Sequence, residues 1–158
     1  MDRPLHIWLE TSHHLAFRVG GWAWVRADGA LVTGHAGGER RIDAECAALA
    51  GLAAALREAK GYGPIRLHTA SELIAAIPGR IRAAQAGEDA PAANLELWAQ
   101  LSAALAATPV QMVRSELAPR TPSAFAAAWA ELARDKAKDR GPFTSPIPKS
   151  NLAKAGVA

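Results

Sequence analysis

Alternation of apolar and polar side chains marks the first element of the chain. His6-Ile7-Trp8-Leu9-Glu10-Thr11 puts Ile7 and Leu9 on one face and His6, Trp8 and Glu10 on the other, the period of a buried strand. Ser12-His13-His14-Leu15 opens a loop that runs to Gly20-Gly21. A second alternating run, Trp22 to Arg26, reaches Asp28-Gly29, a tight-hairpin signal, and a third run from Ala30 to His35 returns antiparallel and ends in Gly37-Gly38. At Asp43, an N-cap residue, the period changes to that of a helix. Leu49, Leu52, Ala53 and Leu56 then form one apolar stripe in a helix reaching about Lys60. Gly61 to Pro64 predicts a turn, and Ile65 to Thr69 a fourth strand. After a helix of that length, this strand pairs parallel beside the first through a right-handed crossover.

Helical sequence follows from Ser71 to about Ile77, with a further short segment beyond Pro78-Gly79. Asn94 caps a helix through Leu95, Trp98, Leu101 and Leu105, and Val110 to Val113 is a fifth strand. Ser123 caps a last helix whose buried face is Phe125, Ala128, Trp129 and Leu132. The order β-β-β-α-β-α-α-β-α predicts an α/β domain over residues 1–137, a mixed five-stranded sheet with helices on both faces. Residues 138–158 hold three prolines and scattered lysines without a period, which predicts a flexible basic tail.

Composition sharpens this picture at three points. Alanine supplies 38 of the 158 residues, so the core is built from small side chains and close helix packing. No apolar run approaches the ~18 residues of a membrane-spanning helix, and Met1-Asp2-Arg3-Pro4 leads straight into a strand, so neither membrane insertion nor a secretory leader is expected. A lone cysteine, Cys46, excludes a disulfide framework and a zinc cluster, and a reducing cytoplasm is the expected compartment. Charge is split along the chain. Residues 1–137 carry 14 basic and 14 acidic side chains, while Lys138, Arg140, Lys149 and Lys154 against Asp139 account for the whole net charge of +3. Strong nucleic-acid binders neutralise phosphates with a basic surface, so any such affinity is expected to be weak and to reside mainly in the tail.

Candidate chemistry begins at Glu10, because an acid ending an otherwise apolar strand is costly unless it is solvated, paired or bound to a cation. Several stretches place it in a wider pattern. Ile7-Trp-Leu-Glu-Thr-Ser12, Gly20-Gly21-Trp22-Ala23, Ala44-Glu45-Cys46-Ala47-Ala48, Leu67-His-Thr-Ala-Ser71, Asn94-Leu-Glu-Leu-Trp98 and Glu131-Leu-Ala-Arg134 occur in that order. Together they resemble the ribonuclease H family over roughly residues 5–137. The resemblance implies enzymes that cleave the RNA strand of RNA–DNA hybrids with two Mg²⁺ ions held by four carboxylates. Hard cations about 3.5–4 Å apart activate water and stabilise the leaving oxygen.

Carried over by motif, the resemblance assigns the first two acids to Glu10 and Glu45 and the last two to Ala70 and Ala130. Two of the four ligands are then methyl groups. Glu10 stands where the family has aspartate, which displaces the carboxylate by roughly 1.5 Å. The loop Leu117 to Pro122 lacks the family's histidine, and the basic insert that grips the hybrid is reduced to Arg80-Ile-Arg82. The acids near the two empty positions are Glu72, Glu131 and Asp135, but Glu131 is rotated about 100° from Ala130 on a helix and Asp135 would reach only from a displaced one. Trp8, Trp98 and Trp129 read as core, and Trp22 with Trp24 as a candidate exposed stacking pair.

These departures imply a catalytically impaired or inactive domain acting as a nucleic-acid-binding or interaction module. It requires no cofactor, with Mg²⁺ or Mn²⁺ bound weakly if at all by Glu10 and Glu45, and its partners are an RNA–DNA hybrid or other nucleic acid, weakly held, or a protein. The alternatives are a weak metal-dependent ribonuclease H and a protein-interaction domain without nucleic-acid contact.

Overall fold

The computed structural model describes residues 3–57, 59 and 62–157. The expected helix end at Lys60, the start of the expected turn at Gly61, and Met1 and Asp2 lie outside the described residues. Strands β1 (Leu5–His14), β2 (Val19–Asp28) and β3 (Leu31–Arg40) form an antiparallel meander. The β2–β3 connection is the two-residue turn Gly29-Ala30, where Gly29 takes a φ of +60° that a side chain would resist. Helix α1 (Ala44–Arg57) crosses over to β4 (Ile65–Thr69), which pairs parallel with β1. Helices α2 (Glu72–Gln85) and α3 (Leu95–Ala107) lead to β5 (Val110–Arg114), parallel to β4.

The expected elements are present, and their faces follow the alternation. Leu5, Ile7 and Leu9 pack with Trp22 and Trp24 under α1, whose Leu49, Leu52 and Leu56 are buried, and under Ile74, Ile77 and Ile81 of α2 and Trp98 and Leu101 of α3. Trp22 and Trp24 are therefore core residues at 7% and 2% exposure, and not an exposed stacking pair. Pro78 does not split α2 in two. The helix continues through it with Ser71 as N-cap, because one lost donor is outweighed by three buried isoleucines on the core face. Ser12 to His14, expected as loop, extends β1.

The opposite face carries α4 (Pro122–Arg140), and here the expected stripe is only partly right: Phe125 and Trp129 pack half-buried at its margin, while Ala128 and Leu132 are exposed. Ser123, Ala126, Ala130, Ala133 and Ala137 are buried, while Leu132 is 59% exposed. The helix turns its smallest side chains to the sheet because the strands beneath it carry glycine or small side chains there, Gly21, Ala23, Ala36 and Gly38 among them. A Cβ on Gly21 would lie 2.3 Å from the Ala130 carbonyl oxygen, and one on Gly38 would lie 2.7 Å from that of Ala133. Backbone rests on backbone, and larger residues are pushed to the flanks. The cap is Thr121, whose hydroxyl accepts from Ala124 N–H, and not Ser123.

Of residues 138–158, expected as a flexible tail, the described residues 138–157 pack onto the domain. Helix α4 runs on to Arg140, β6 (Phe143–Pro146) pairs antiparallel with β3 as a sixth strand, and α5 (Lys149–Leu152) follows. The sheet order is β5-β4-β1-β2-β3-β6. The segment shows no period because its anchors are few and widely spaced: Ile147, Leu152 and Ala155 are buried against Ala36, Val25 and α4. Leu152→Ala is expected to lower unfolding free energy by about 2 kcal/mol, whereas Lys154→Ala, at an exposed position, leaves it unchanged. Urea denaturation of both checks this; equal midpoints would mean that the segment does not stabilise the domain.

Candidate functional site

Among the described residues, the buried polar or charged side chains are Glu10, Thr69 and Ser123, and all three meet at one place. The parallel β1–β4 pairing brings the end of β4 beside Glu10. Ala70 N–H donates to Glu10 Oε2 at 2.8 Å and the Thr69 hydroxyl donates to Oε1 at 3.2 Å. Ser123 hydrogen-bonds Ser115 at 2.6 Å and, at the N-terminal end of α4, lies close enough to act on the carboxyl. Burial pushes the Glu10 pKa up to about 7, against the opposing hydrogen bonds of Ala70, Thr69 and Ser123 and the charge of Arg114. At neutral pH this acid is about half protonated.

Glu45 is held by other partners. Asp43 caps α1 by accepting from Cys46 N–H at 2.7 Å, which fixes the first turn of the helix. From there Glu45 Oε1 accepts from Arg80 at 2.5 Å and Oε2 from the Asn94 amide at 3.0 Å. Burial raises its pKa, but the Arg80 and Asn94 hydrogen bonds and the Arg80 charge outweigh that, and the carboxyl is held below its usual range. Arg80 also stacks over Trp98, its guanidinium 4.5 Å from the ring centre. Asn94 therefore works through its side chain on Glu45 and makes no cap hydrogen bond to its own helix. The sequence alone assigns Arg80 to substrate grip and Asn94 to capping; neither residue type announces that it will serve a neighbouring acid.

The two remaining positions hold methyl groups. Ala70 contributes its N–H to Glu10, and Ala130 is fully buried in the seam under α4. None of the substitute acids is drawn in: Glu72 and Glu131 are exposed, and Asp135 pairs with Arg134 at 3.0 Å. Arg134 in turn donates to Ser12 at 2.8 Å and so ties α4 to β1. This donor set does not fit a pair of hard dications. One acid is half neutral and already accepts two hydrogen bonds, the other is neutralised by a guanidinium, and two positions have no oxygen. Among the described residues no group of three or more His, Cys, Asp or Glu is placed to hold a metal ion.

The mixed sheet with its parallel β1–β4 pair and flanking helices matches solved structures in fold. LC9-RNase H1, a type 1 ribonuclease H with the type 2 active-site motif, superimposes with a TM-score of 0.69 at 16% identity, over 100% of this chain and 87% of that one. The chain has the ribonuclease H fold. The N-terminal ribonuclease H domain of Rv2228c from Mycobacterium tuberculosis gives a TM-score of 0.62 at 20% identity, covering 86% of this chain and 96% of that one. LC11-RNase H1, isolated from compost and solved in complex with an RNA/DNA hybrid, gives 0.61 at 19% identity, covering 84% and 98%. No protein-family model and no curated protein sequence matches the chain. The ribonuclease H fold thus persists here with little of the sequence shared with its solved representatives. No helix among the described residues is long and apolar enough to cross a membrane.

Proposed function

We propose that this ribonuclease H-fold domain is a cytoplasmic, non-hydrolytic module that binds nucleic acid weakly. The observation that supports the loss of hydrolysis is the fate of the acids: Glu10 is buried among hydroxyls, and Glu45 is bound by Arg80 and Asn94. Two-metal hydrolysis needs open carboxylate oxygens on both ions, and Ala70 and Ala130 supply none. Binding is supported by a folded patch that joins Lys138 to cations of the evenly charged part of the chain. Lys138 stands 3.7 Å from the centre of the Phe17 ring. Phe17 is 55% exposed, and Arg18 and Arg41 are exposed beside it, joined through the Ile42 N–H to Arg18 carbonyl hydrogen bond. An exposed ring among cations suits a base stacked beside its phosphate, and LC11-RNase H1 is itself bound to a hybrid.

Purified protein is expected to leave an RNA–DNA hybrid intact in Mg²⁺, with parent and Glu45→Gln indistinguishable from buffer. Hydrolysis in Mg²⁺ that disappears in Glu45→Gln would overturn this reading in favour of a weak metal-dependent ribonuclease H. In the same preparation, hybrid affinity should fall with salt, and Phe17→Ala with Lys138→Ala should lower it about ten-fold. Unchanged affinity in that double variant would locate binding elsewhere on the surface. Absence of any hybrid binding at low salt would leave a protein partner as the function of the module.

A further inference from the structure

On the α4 face of the sheet, towards the start of β1, a cavity of about 500 Å³ lies apart from Glu10, Glu45, Ala70 and Ala130, none of which lines it. Its aromatic wall is made by strand register. Trp8 and His68 are direct partners across β1 and β4, their ring centres 4.9 Å apart and their planes within 17°. His6, two residues before Trp8 on the same face, stacks 5.2 Å from His68. His6 Nδ1 and His68 Nε2 are 2.9 Å apart and share one proton between them. This leaves His6 Nε2 and His68 Nδ1 without a protein partner among the described residues. Burial, then the charges of His6 and Arg66, holds His68 below the usual imidazole range.

Among the described residues, the rim supplies charge of one sign. Arg3 is exposed there and has no ion-pair or hydrogen-bond partner among the described residues. Pro122 brings the N-terminal end of α4, a 19-residue helix whose dipole favours negative charge, to the same rim. Val157 closes the side, and no carboxylate side chain among the described residues lines the space. The volume falls within the range of small-molecule sites, roughly 300–1,000 Å³. A flat aromatic wall, with imidazole nitrogens and a guanidinium that have no partner among the described residues, asks for a ligand that is planar at one end and anionic at the other.

We propose that this cavity binds a nucleoside monophosphate, its base against Trp8 and its phosphate on Arg3. Arg3 presents a forked donor that matches two phosphate oxygens, and those imidazole nitrogens meet the polar edge of the base or the sugar hydroxyls. The same chemistry is offered by a free nucleotide and by the 5′-phosphorylated end of a strand.

Calorimetric titration of the full chain with AMP, adenosine, inorganic phosphate and a short oligonucleotide with and without a 5′-phosphate decides it. Saturable AMP binding is expected, with adenosine and phosphate each at least about ten-fold weaker. Arg3→Glu, at an exposed position, should weaken AMP about ten-fold or more, and Trp8→Leu should weaken AMP and adenosine together. Oligonucleotide binding that requires the 5′-phosphate and matches AMP assigns the site to a strand end; binding of AMP alone assigns it to the free nucleotide. The proposal is overturned if AMP does not saturate at millimolar concentration, if Arg3→Glu binds it as the parent does, or if phosphate alone binds equally well.

Discussion

At pH 8, Glu10→Gln is expected to be more stable than the parent protein by about 3 kcal/mol, and at pH 4 the two should be nearly equal. The folded pKa of about 7 lies above the ordinary value of 4.5, so between those values the folded state keeps a proton that the unfolded chain has released. The contribution is therefore fully present below about pH 4.5, declines as pH rises, and is gone above about 7; at about 1.36 kcal/mol for each pH unit separating the two values, this comes to roughly 3 kcal/mol. Glutamine fits the same pocket in place of the protonated acid. Its carbonyl accepts from Ala70 N–H while its amide donates to the Thr69 or Ser123 hydroxyl. The comparison must be made against the parent at each pH, because His68 acts in the opposite sense. Its lowered pKa gives stability that is present above its ordinary value and lost as pH falls. Glu45, also lowered, contributes stability that is lost only below its ordinary range. Chemical denaturation of both proteins from pH 4 to 9 measures the difference. Parallel stability curves would mean that Glu10 is ionised in the fold and open to a cation after all.

The second large effect belongs to the seam under α4. Gly21→Ala is expected to cost about 4 kcal/mol or to prevent folding. The added methyl would meet the Ala130 carbonyl oxygen at 2.3 Å, the Arg134 nitrogen at 2.4 Å and the Ala133 carbonyl carbon at 3.0 Å. All three are backbone atoms, so no side chain can swing aside, and the helix must lift from the sheet along its length. Gly87→Ala is the contrast. It has a φ of +75° but nothing within 4 Å, so only backbone strain is incurred, about 1 kcal/mol. Urea midpoints of the two variants separate crowding from strain. A Gly21→Ala midpoint close to that of Gly87→Ala would show that α4 does not rest directly on β2.

That seam also marks what the sequence could and could not disclose. Two-residue alternation in β1 and β2 and the three- and four-residue spacing in α1 were legible because each element buries large apolar side chains on one face. In α4 the same logic selects Phe125, Ala128, Trp129 and Leu132 and misses the buried line of Ala126, Ala130, Ala133 and Ala137, catching only Phe125 and Trp129 at its margin. Burial there is set by the glycines of neighbouring strands, which a single helix's pattern does not contain. The C-terminal strand is hidden for a related reason. Four residues with alternating exposure, flanked by prolines, resemble a linker until β3 is alongside. The motifs single out Glu10 and Glu45 as two acids of interest, but their separate engagement was not legible. Arg80, Asn94 and Thr69 reach them across 35, 49 and 59 residues of chain.

The proline-flanked sixth strand has a bearing on self-association. β6 is four residues long, ends at Pro146 and lies between Pro142 and Pro148. Proline offers no N–H to an incoming strand, so this margin of the sheet ends hydrogen bonding instead of handing it on. Without β6, the ten-residue β3 would be the margin, with Gly34, Gly37 and Gly38 leaving much of it bare of side chains. Long, flat margins of that kind template cross-β growth. By covering β3 with a short strand that cannot itself be extended far, the chain leaves β5 as the sheet's one margin of regular pairing geometry among the described residues. Recruitment of a foreign strand, or the first step of fibril growth, is thereby directed to Val110–Arg114 and away from the alanine seam.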